Sequence, residues 1–237
     1  MAYIIDTQYN IREEQSDIQL DTSISIDTSI SIDTSKNIDT SIICPTSNFS
    51  IKDCFSLSSK TGKYNDTIIH FGKDIIVSLS GGVDSIVCLH LYQSKYPNKV
   101  KAFHINYMNR DTCEKEELFV KYVCKTMRIP LYIRRMTEIQ RTQDKHREYY
   151  EKYTNTVRFN CYSLFTDGLI VLGHNYDDTL ENVFSNIKKM KNMDNIKGMK
   201  KSCVIMNNHI YRPLLDVKKS DIIDYAHVHN LPYLEDS

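Results

Sequence analysis

The feature that most constrains this chain is a strand-to-helix junction at SGGVDS, Ser80 to Ser85. An apolar run (Ile75, Ile76, Val77, Leu79) leads into it, and a helix-like stretch with Ile86, Val87, Leu89 and Leu91 follows. A strand, a two-glycine turn and a helix start together make a place to hold phosphate. Glycines let the backbone approach an anion closely. The first turn of a helix adds unpaired N–H groups at the positive end of its dipole. The loop lacks the lysine of a Walker A sequence, so it suggests a different use of ATP.

Downstream, strand-like and helix-like stretches alternate. Strands are expected at 74–79, 99–107, 130–136 and 168–175. Helices are expected at 84–95, at 114–128, from about 144 to 166, from Asp177 onward, and at 218–230. Leu118, Val120, Tyr122 and Val123 are among the apolar positions of the second helix. VIMNNHIYRPL (204–214) reads as a hairpin turning at Asn207-Asn208. The order implies an α/β fold, doubly wound around a mostly parallel sheet. In such sheets ligands lie beyond the carboxyl ends of the strands. SGGVDS, His104 and GHNYDD all fall at expected strand ends, so all three are expected to line one pocket.

Ahead of the junction the composition changes. DTS recurs at Asp21, Asp27, Asp33 and Asp39 with isoleucines between. Four short units bury little surface, so residues 1–70 are expected to be a low-complexity, disordered extension. The boundary is expected near Phe71, with 71–237 as the folded domain. Thirty Lys/Arg balance thirty Asp/Glu overall, but residues 1–70 carry 5 against 10 and residues 71–237 carry 25 against 20. The mildly basic body is compatible with nucleic acid binding without demonstrating it. Seven scattered cysteines include no CxxC pair, so zinc or iron–sulfur ligation has no local signature and reduced thiols of a cytoplasmic protein are expected. No secretory signal and no apolar run of membrane-spanning length is read in the chain.

The loop residues suggest their own chemistry. Ser80 and Ser85 hydroxyls are candidate donors to phosphate oxygens. Asp84 would repel phosphate directly and suits Mg²⁺ instead, which takes oxygen ligands. An acid there also favours the helix dipole, by roughly 0.3–1 kcal/mol. In GHNYDDTLEN, Asp178 and Glu181 are three apart and share one helix face. Two carboxylates at a pocket mouth suit an ammonium group or the proton it loses. Asp177 and Asp178 equally suit a plain capping role in the first turn. His174 directly follows the strand, where a structural histidine is the simpler reading.

Taken in order, these segments resemble a known family. SGGVDS is the pyrophosphate-loop signature of AMP-forming ATP pyrophosphatases, and GHNYDDTLEN resembles the HxxDDxxET segment of tRNA(Ile)-lysidine synthetases. HINYMN (104–109), CKTMRIPLYI (124–133), TVRFNCYSLF (156–165) with Arg158, KGMK (197–200), RPLLDVKKSDI (212–222) and LPYLEDS (231–237) are similar to further segments of that family. The resemblance covers nearly all of 71–237. It implies a ligase of the cytoplasm that adenylates the C2 carbonyl of a wobble cytidine in tRNA(Ile) and then joins free lysine to it. By the same resemblance Ser80, Gly81, Gly82, Val83, Asp84 and Ser85 bind ATP, with His104 and His174 beside it and Mg²⁺ on Asp84. Asp178 and Glu181 would hold the lysine, and Arg212 would lie near the activated base or a phosphate.

The departures from the family are specific. Gly173 stands where the family has Ala or His, and Asn182 where it has Thr. Six lysines and one aspartate fall between Lys188 and Lys201, a candidate contact for tRNA phosphates that salt would weaken. Many family members continue past the ED-S motif, whereas this sequence stops at Ser237, which fits a minimal enzyme, a fragment, or one component of a complex in which a protein partner supplies tRNA contacts. The alternatives are another enzyme with the same loop, of the tRNA thiolation or amidation type, and a non-catalytic nucleotide- or RNA-binding remnant. Val83 and the lack of CxxC argue against the thiolation type.

Overall fold

The computed structural model describes residues 1–14, 74–139, 147–166, 168–188 and 198–235. Its strands are β1 (Ala2–Ile5), β2 (Ile11–Glu13), β3 (Ile75–Ser78), β4 (Val100–Asn106), β5 (Leu131–Arg135), β6 (Leu169–Val171), β7 (Ser202–Ile205) and β8 (Asn208–Tyr211). Its helices are α1 (Val83–Lys95), α2 (Cys113–Thr126), α3 (Arg147–Tyr162), α4 (Tyr176–Lys188) and α5 (Lys219–Val228). All eight strands join one sheet in the order β2-β1-β5-β4-β3-β6-β8-β7. Neighbours pair in parallel from β1 through to β8, and among the described strands only the edges β2 and β7 are antiparallel.

Strands β3 and β6 carry near-continuous apolar runs (Ile75 to Val77 and Leu169 to Val171) because both faces are covered. Ile75 and Val77 of β3 point to the face packed by α1, α2 and α5, where Leu89, Val120, Val123, Ile222 and Ala226 are buried. Ile76 points to the opposite face and packs with Phe103, Ile170 and, from α3, Val157, Cys161 and Tyr162. Along α2 the buried positions Cys113, Glu117, Val120 and Cys124 follow the helical period, which turns Leu118 and Tyr122 outward.

The path of the chain places the crevice. From β3 it proceeds to β4 and β5 on one side, then returns across the sheet to β6 on the other side of β3. The strand order therefore reverses between β3 and β6, and a cleft opens beyond their carboxyl ends.

Three local expectations need correction. The strand expected at 168–175 ends at Val171, because Asn175 is already the cap of α4. The hairpin turns one residue earlier than expected, at Met206 and Asn207, whose φ of 47° and 63° match a two-residue turn with both central residues left-handed. The third concerns residues 1–14, grouped above with the extension. They form a hairpin whose first strand lies parallel to β5, with Ile5 buried against the sheet. The Asp6 carboxylate closes its turn by accepting from the N–H groups of Gln8 and Asn10. Glu14 then pairs with Lys121 at 2.7 Å and Arg135 at 2.9 Å. The hairpin covers what would otherwise be the open edge of β5. The DTS repeat, the boundary at Phe71 and most of the lysine-rich segment lie outside the described residues. No helix among the described residues is long and apolar enough to cross a membrane.

Candidate active site

The SGGVDS loop leaves β3 at the middle of the sheet and enters α1 at Val83. Gly81 has a φ of +100°, a conformation that side chains resist. A Cβ at Gly81 would also lie 3.0 Å from Leu234, whose backbone N–H donates to the Gly81 carbonyl at 3.0 Å. The LPYLEDS segment therefore packs directly on the glycine loop. Ser85 holds the loop from inside. Its Oγ accepts from the N–H groups of Ser80 and Gly81, both at 3.2 Å, and from the Ser80 hydroxyl at 3.1 Å. Its own proton goes to the Gly82 carbonyl at 2.9 Å. Ser85 is buried and shapes the loop, while Ser80 is exposed at its rim. Gly82 caps α1 in an extended conformation with no side-chain cap, which leaves the first helical N–H groups for an anion.

The second constellation arrives from β6. Gly173 presses against α1: a Cβ there would meet the backbone of Asp84 and Ser85 at 3.1 Å. This close passage favours glycine at position 173. Asn175 then caps α4 in a reciprocal arrangement. Its Oδ1 accepts from the N–H of Asp177 at 2.8 Å and of Asp178 at 3.1 Å, and Asp178 Oδ2 accepts from the Asn175 N–H at 2.8 Å. The Asn175 amide also donates to Asp84 Oδ1 at 3.2 Å. The other Asp84 oxygen pairs with Lys219 Nζ at 2.7 Å. Asp177 in turn accepts from the backbone N–H of Lys219 at 3.2 Å. The starts of α1, α4 and α5 are thus tied together around Asp84.

The remaining candidates divide by depth. Arg212, 7% exposed at the end of β8, donates from Nε to His174 Nδ1 at 3.2 Å and from Nη1 to the Lys200 carbonyl at 2.8 Å. The accepting Nδ1 must be unprotonated, and burial together with the Arg212 charge holds the His174 imidazole below its ordinary value. Arg158 of α3 donates to the Tyr107 hydroxyl. His104, only 3% exposed, donates from Nδ1 to the Leu79 carbonyl at 2.8 Å. It braces the base of the loop from within the fold and does not line the open cleft. Burial lowers its proton affinity against the pull of that carbonyl. Glu181 is exposed one turn beyond Asp178 on α4.

The structure therefore brings together the Ser80–Ser85 loop, Asp84, Asp178, His174 and Arg212, leaves Glu181 at the rim, and sets His104 behind. Two residues were missed in the sequence. Asn175 had a legible signal, the N-x-x-D capping spacing inside GHNYDD. Lys219 lies inside the RPLLDVKKSDI segment already singled out, but its meeting with Asp84, 135 residues away along the chain, is visible only in the fold. Among the described residues no three His, Cys, Asp or Glu side chains cluster as metal ligands. Asp84 is the loop carboxylate that could hold magnesium together with substrate phosphates, since such sites need only one or two protein carboxylates, and the metal would take the place Lys219 Nζ now holds.

The sequence profile of the PP-loop domain matches residues 58–237. The chain is similar to the tRNA(Ile)-lysidine synthase of Mycoplasma mycoides, 25% identical over 174 residues, covering 71% of this chain and 42% of that protein. It is 27% identical over 181 residues to the tRNA(Ile)-lysidine synthase of Clostridioides difficile, covering 73% and 38%. To the bifunctional protein TilS/HprT of Listeria innocua it is 27% identical over 173 residues, covering 70% and 26%. The chain thus spans less than half the length of these curated relatives. Among solved structures, the U34-tRNA thiolase NcsA of Methanococcus maripaludis has a TM-score of 0.54 at 16% identity, covering 79% of this chain and 68% of that one, a likeness of fold. With three quarters of its length matched and its glycine loop on the central strand, the chain belongs to the ATP-binding PP-loop domain family.

Proposed function

We propose that this chain is the ATP-using part of a tRNA-modifying ligase of the lysidine synthase type. ATP binds with its phosphates on the Ser80–Ser85 loop and the uncapped start of α1. The C2 oxygen of a wobble cytidine in tRNA(Ile) attacks the α-phosphorus, the bond to the β-phosphate oxygen breaks, and pyrophosphate leaves. The ε-amine of free lysine then attacks C2, the C2–O bond breaks, and AMP leaves with that oxygen. One amine proton goes to a carboxylate. The logic is that of activation: a carbonyl oxygen leaves poorly, and the attached AMP makes it a good leaving group.

The chain's own residues take distinct parts in this reading. Asp178 and Glu181 hold the lysine ammonium and accept its proton. Arg212, buried beside His174, faces the activated base or a phosphate oxygen. Magnesium on Asp84 would neutralise charge on the phosphate chain. A partner, or chain beyond the part shared with the relatives, supplies further tRNA contacts in the cytoplasm, aided by the lysines between Lys188 and Lys201.

The observation that supports this reading best is the tie across the switch point. Asn175 joins Asp84, which follows β3, to Asp178, which follows β6. The test is one incubation with Mg-ATP, lysine and bulk tRNA, followed by nucleoside mass spectrometry. A cytidine that gains one lysine with loss of one water, only when all three are present, is the expected result. AMP formation with no altered cytidine would sink it.

A further inference from the structure

Glu14 ends the N-terminal hairpin, and the hairpin fixes its place. Its backbone N–H donates to the Ala2 carbonyl at 3.0 Å, and β1 is locked in parallel register on β5. The Glu14 carboxylate meets Arg135 of β5 at 2.9 Å and Lys121 of α2 at 2.7 Å. Both cations also pair with Glu117 of α2, a carboxylate in a residue only 5% exposed. Two acids and two bases thus make one neutral cluster. Without Glu14 it would carry an excess positive charge in a half-buried place.

The cluster continues towards the cleft. Glu117 accepts from Asn106 Nδ2 at 2.8 Å, at the end of β4. Asn106 Oδ1 accepts from the Met108 N–H at 2.9 Å and pins a backbone whose φ is 51°. Asn106 Nδ2 also donates to the Cys113 carbonyl at 3.3 Å, where α2 begins. Just past Glu117, Phe119 and Val120 lie 3.5 and 3.6 Å from where a Cβ on Gly81 would stand. The first half of α2 is therefore a wall of the glycine loop, and Glu14 completes the charges that hold it. Glu14 itself lies ahead of residues 58–237, the part matched to the family.

We propose that Glu14 is a positioning residue of the nucleotide site, holding α2 and the loop 107–112 against the glycine loop through Arg135, Lys121 and Glu117. The proposal rests on the ATP reading above. Glu14 sets the geometry that ATP meets and touches no phosphate. Coupling is reciprocal, so bound ATP steadies the hairpin in return.

The rival account is that the cluster only adds stability at the sheet edge. Calorimetric titration with Mg-ATP and amide hydrogen exchange read by mass spectrometry separate the two, on wild type, Glu14→Gln and Arg12→Ala. Arg12 is the control, an exposed hairpin residue paired with Asp6 outside the cluster. Loss of one member of a contiguous network predicts that Glu14→Gln weakens Mg-ATP by about threefold or more. Exchange rises over 106–120 and stays at the wild-type rate in α5, and Arg12→Ala behaves as wild type. Unchanged ATP affinity in Glu14→Gln overturns the proposal. So does exchange that rises equally in α5, or an equal loss of affinity in Arg12→Ala. Wild-type protein that binds no ATP overturns the ATP reading beneath it. If Glu14→Gln fails to fold, exchange of the wild-type hairpin is compared with and without Mg-ATP. Slower exchange over residues 1–14 with Mg-ATP supports the coupling, and an unchanged rate overturns it.

Discussion

Gly81 and Ser85 form the loop by opposite means, one by having no side chain and the other by burying a hydroxyl. At Gly81 the backbone is left-handed and Leu234 sits where a Cβ would go. Gly81→Ala is therefore expected to lower stability by about 1–3 kcal/mol in urea unfolding and to weaken ATP binding. Wild-type stability in that variant would show that the loop relaxes freely. The carboxylates separate by role. Asp84 is shared between Asn175 and Lys219, and Asp84→Ala is expected to abolish AMP formation measured by chromatography. Glu181 is exposed at the rim, so Glu181→Gln is expected to leave ATP affinity intact while the lysine concentration needed for half-maximal rate rises about tenfold. An unchanged lysine requirement would remove its assigned role.

At the level of elements, periodicity and punctuation found nearly every helix and strand to within a few residues. The exceptions have physical causes. GHN continued an apolar run, but Asn175 caps a helix more strongly than it extends a strand. The Met206–Asn207 turn was displaced by one residue because Asn208 is buried, its amide bonded to the carbonyls of Phe159 and Met206. Strand β1 was the largest miss. AYII is short, and its partner β5 lies far along the chain at Leu131–Arg135, so only the parallel register reveals it. Ile5 carries its anchorage. Ile5→Ala is expected to cost about 2–5 kcal/mol, read from the urea midpoint, because it empties a fully buried position. A change under about 0.5 kcal/mol would mean that the hairpin lies loosely on the edge.

For the whole molecule, acid is the condition that finds the weak points. His90, His104 and His174 all have proton affinities below the ordinary 6.5. Burial is the first cause in each, reinforced by His229 at His90 and by Arg212 at His174. The folded chain keeps these rings neutral while the unfolded chain takes up protons. Stability is therefore full above about 6.5 and falls as pH drops towards about 4, the value at His90. Glu117 acts lower still. Burial raises its carboxyl, but hydrogen bonds from Arg135, Asn106 and Lys121 outweigh burial and bring it down to about 2. Its contribution is present above the ordinary 4.5 and is lost as pH falls through about 2. Urea midpoints that stay level from about pH 7 to about pH 4.5 would contradict the histidine argument.

The sequence by itself determined the alternating order of strands and helices, the glycine loop on the first apolar strand of the domain, and the acidic start of the helix after β6. Those are local properties, set by periodicity, by turn chemistry and by the few residues that tolerate a left-handed backbone. Only the tertiary structure decided which distant groups meet. It brought Lys219 to Asp84, Leu234 onto Gly81, Arg212 to His174 and the first five residues to β5. Pairing between residues from 38 to 135 positions apart and more depends on sheet order and helix packing, and no local pattern encodes it.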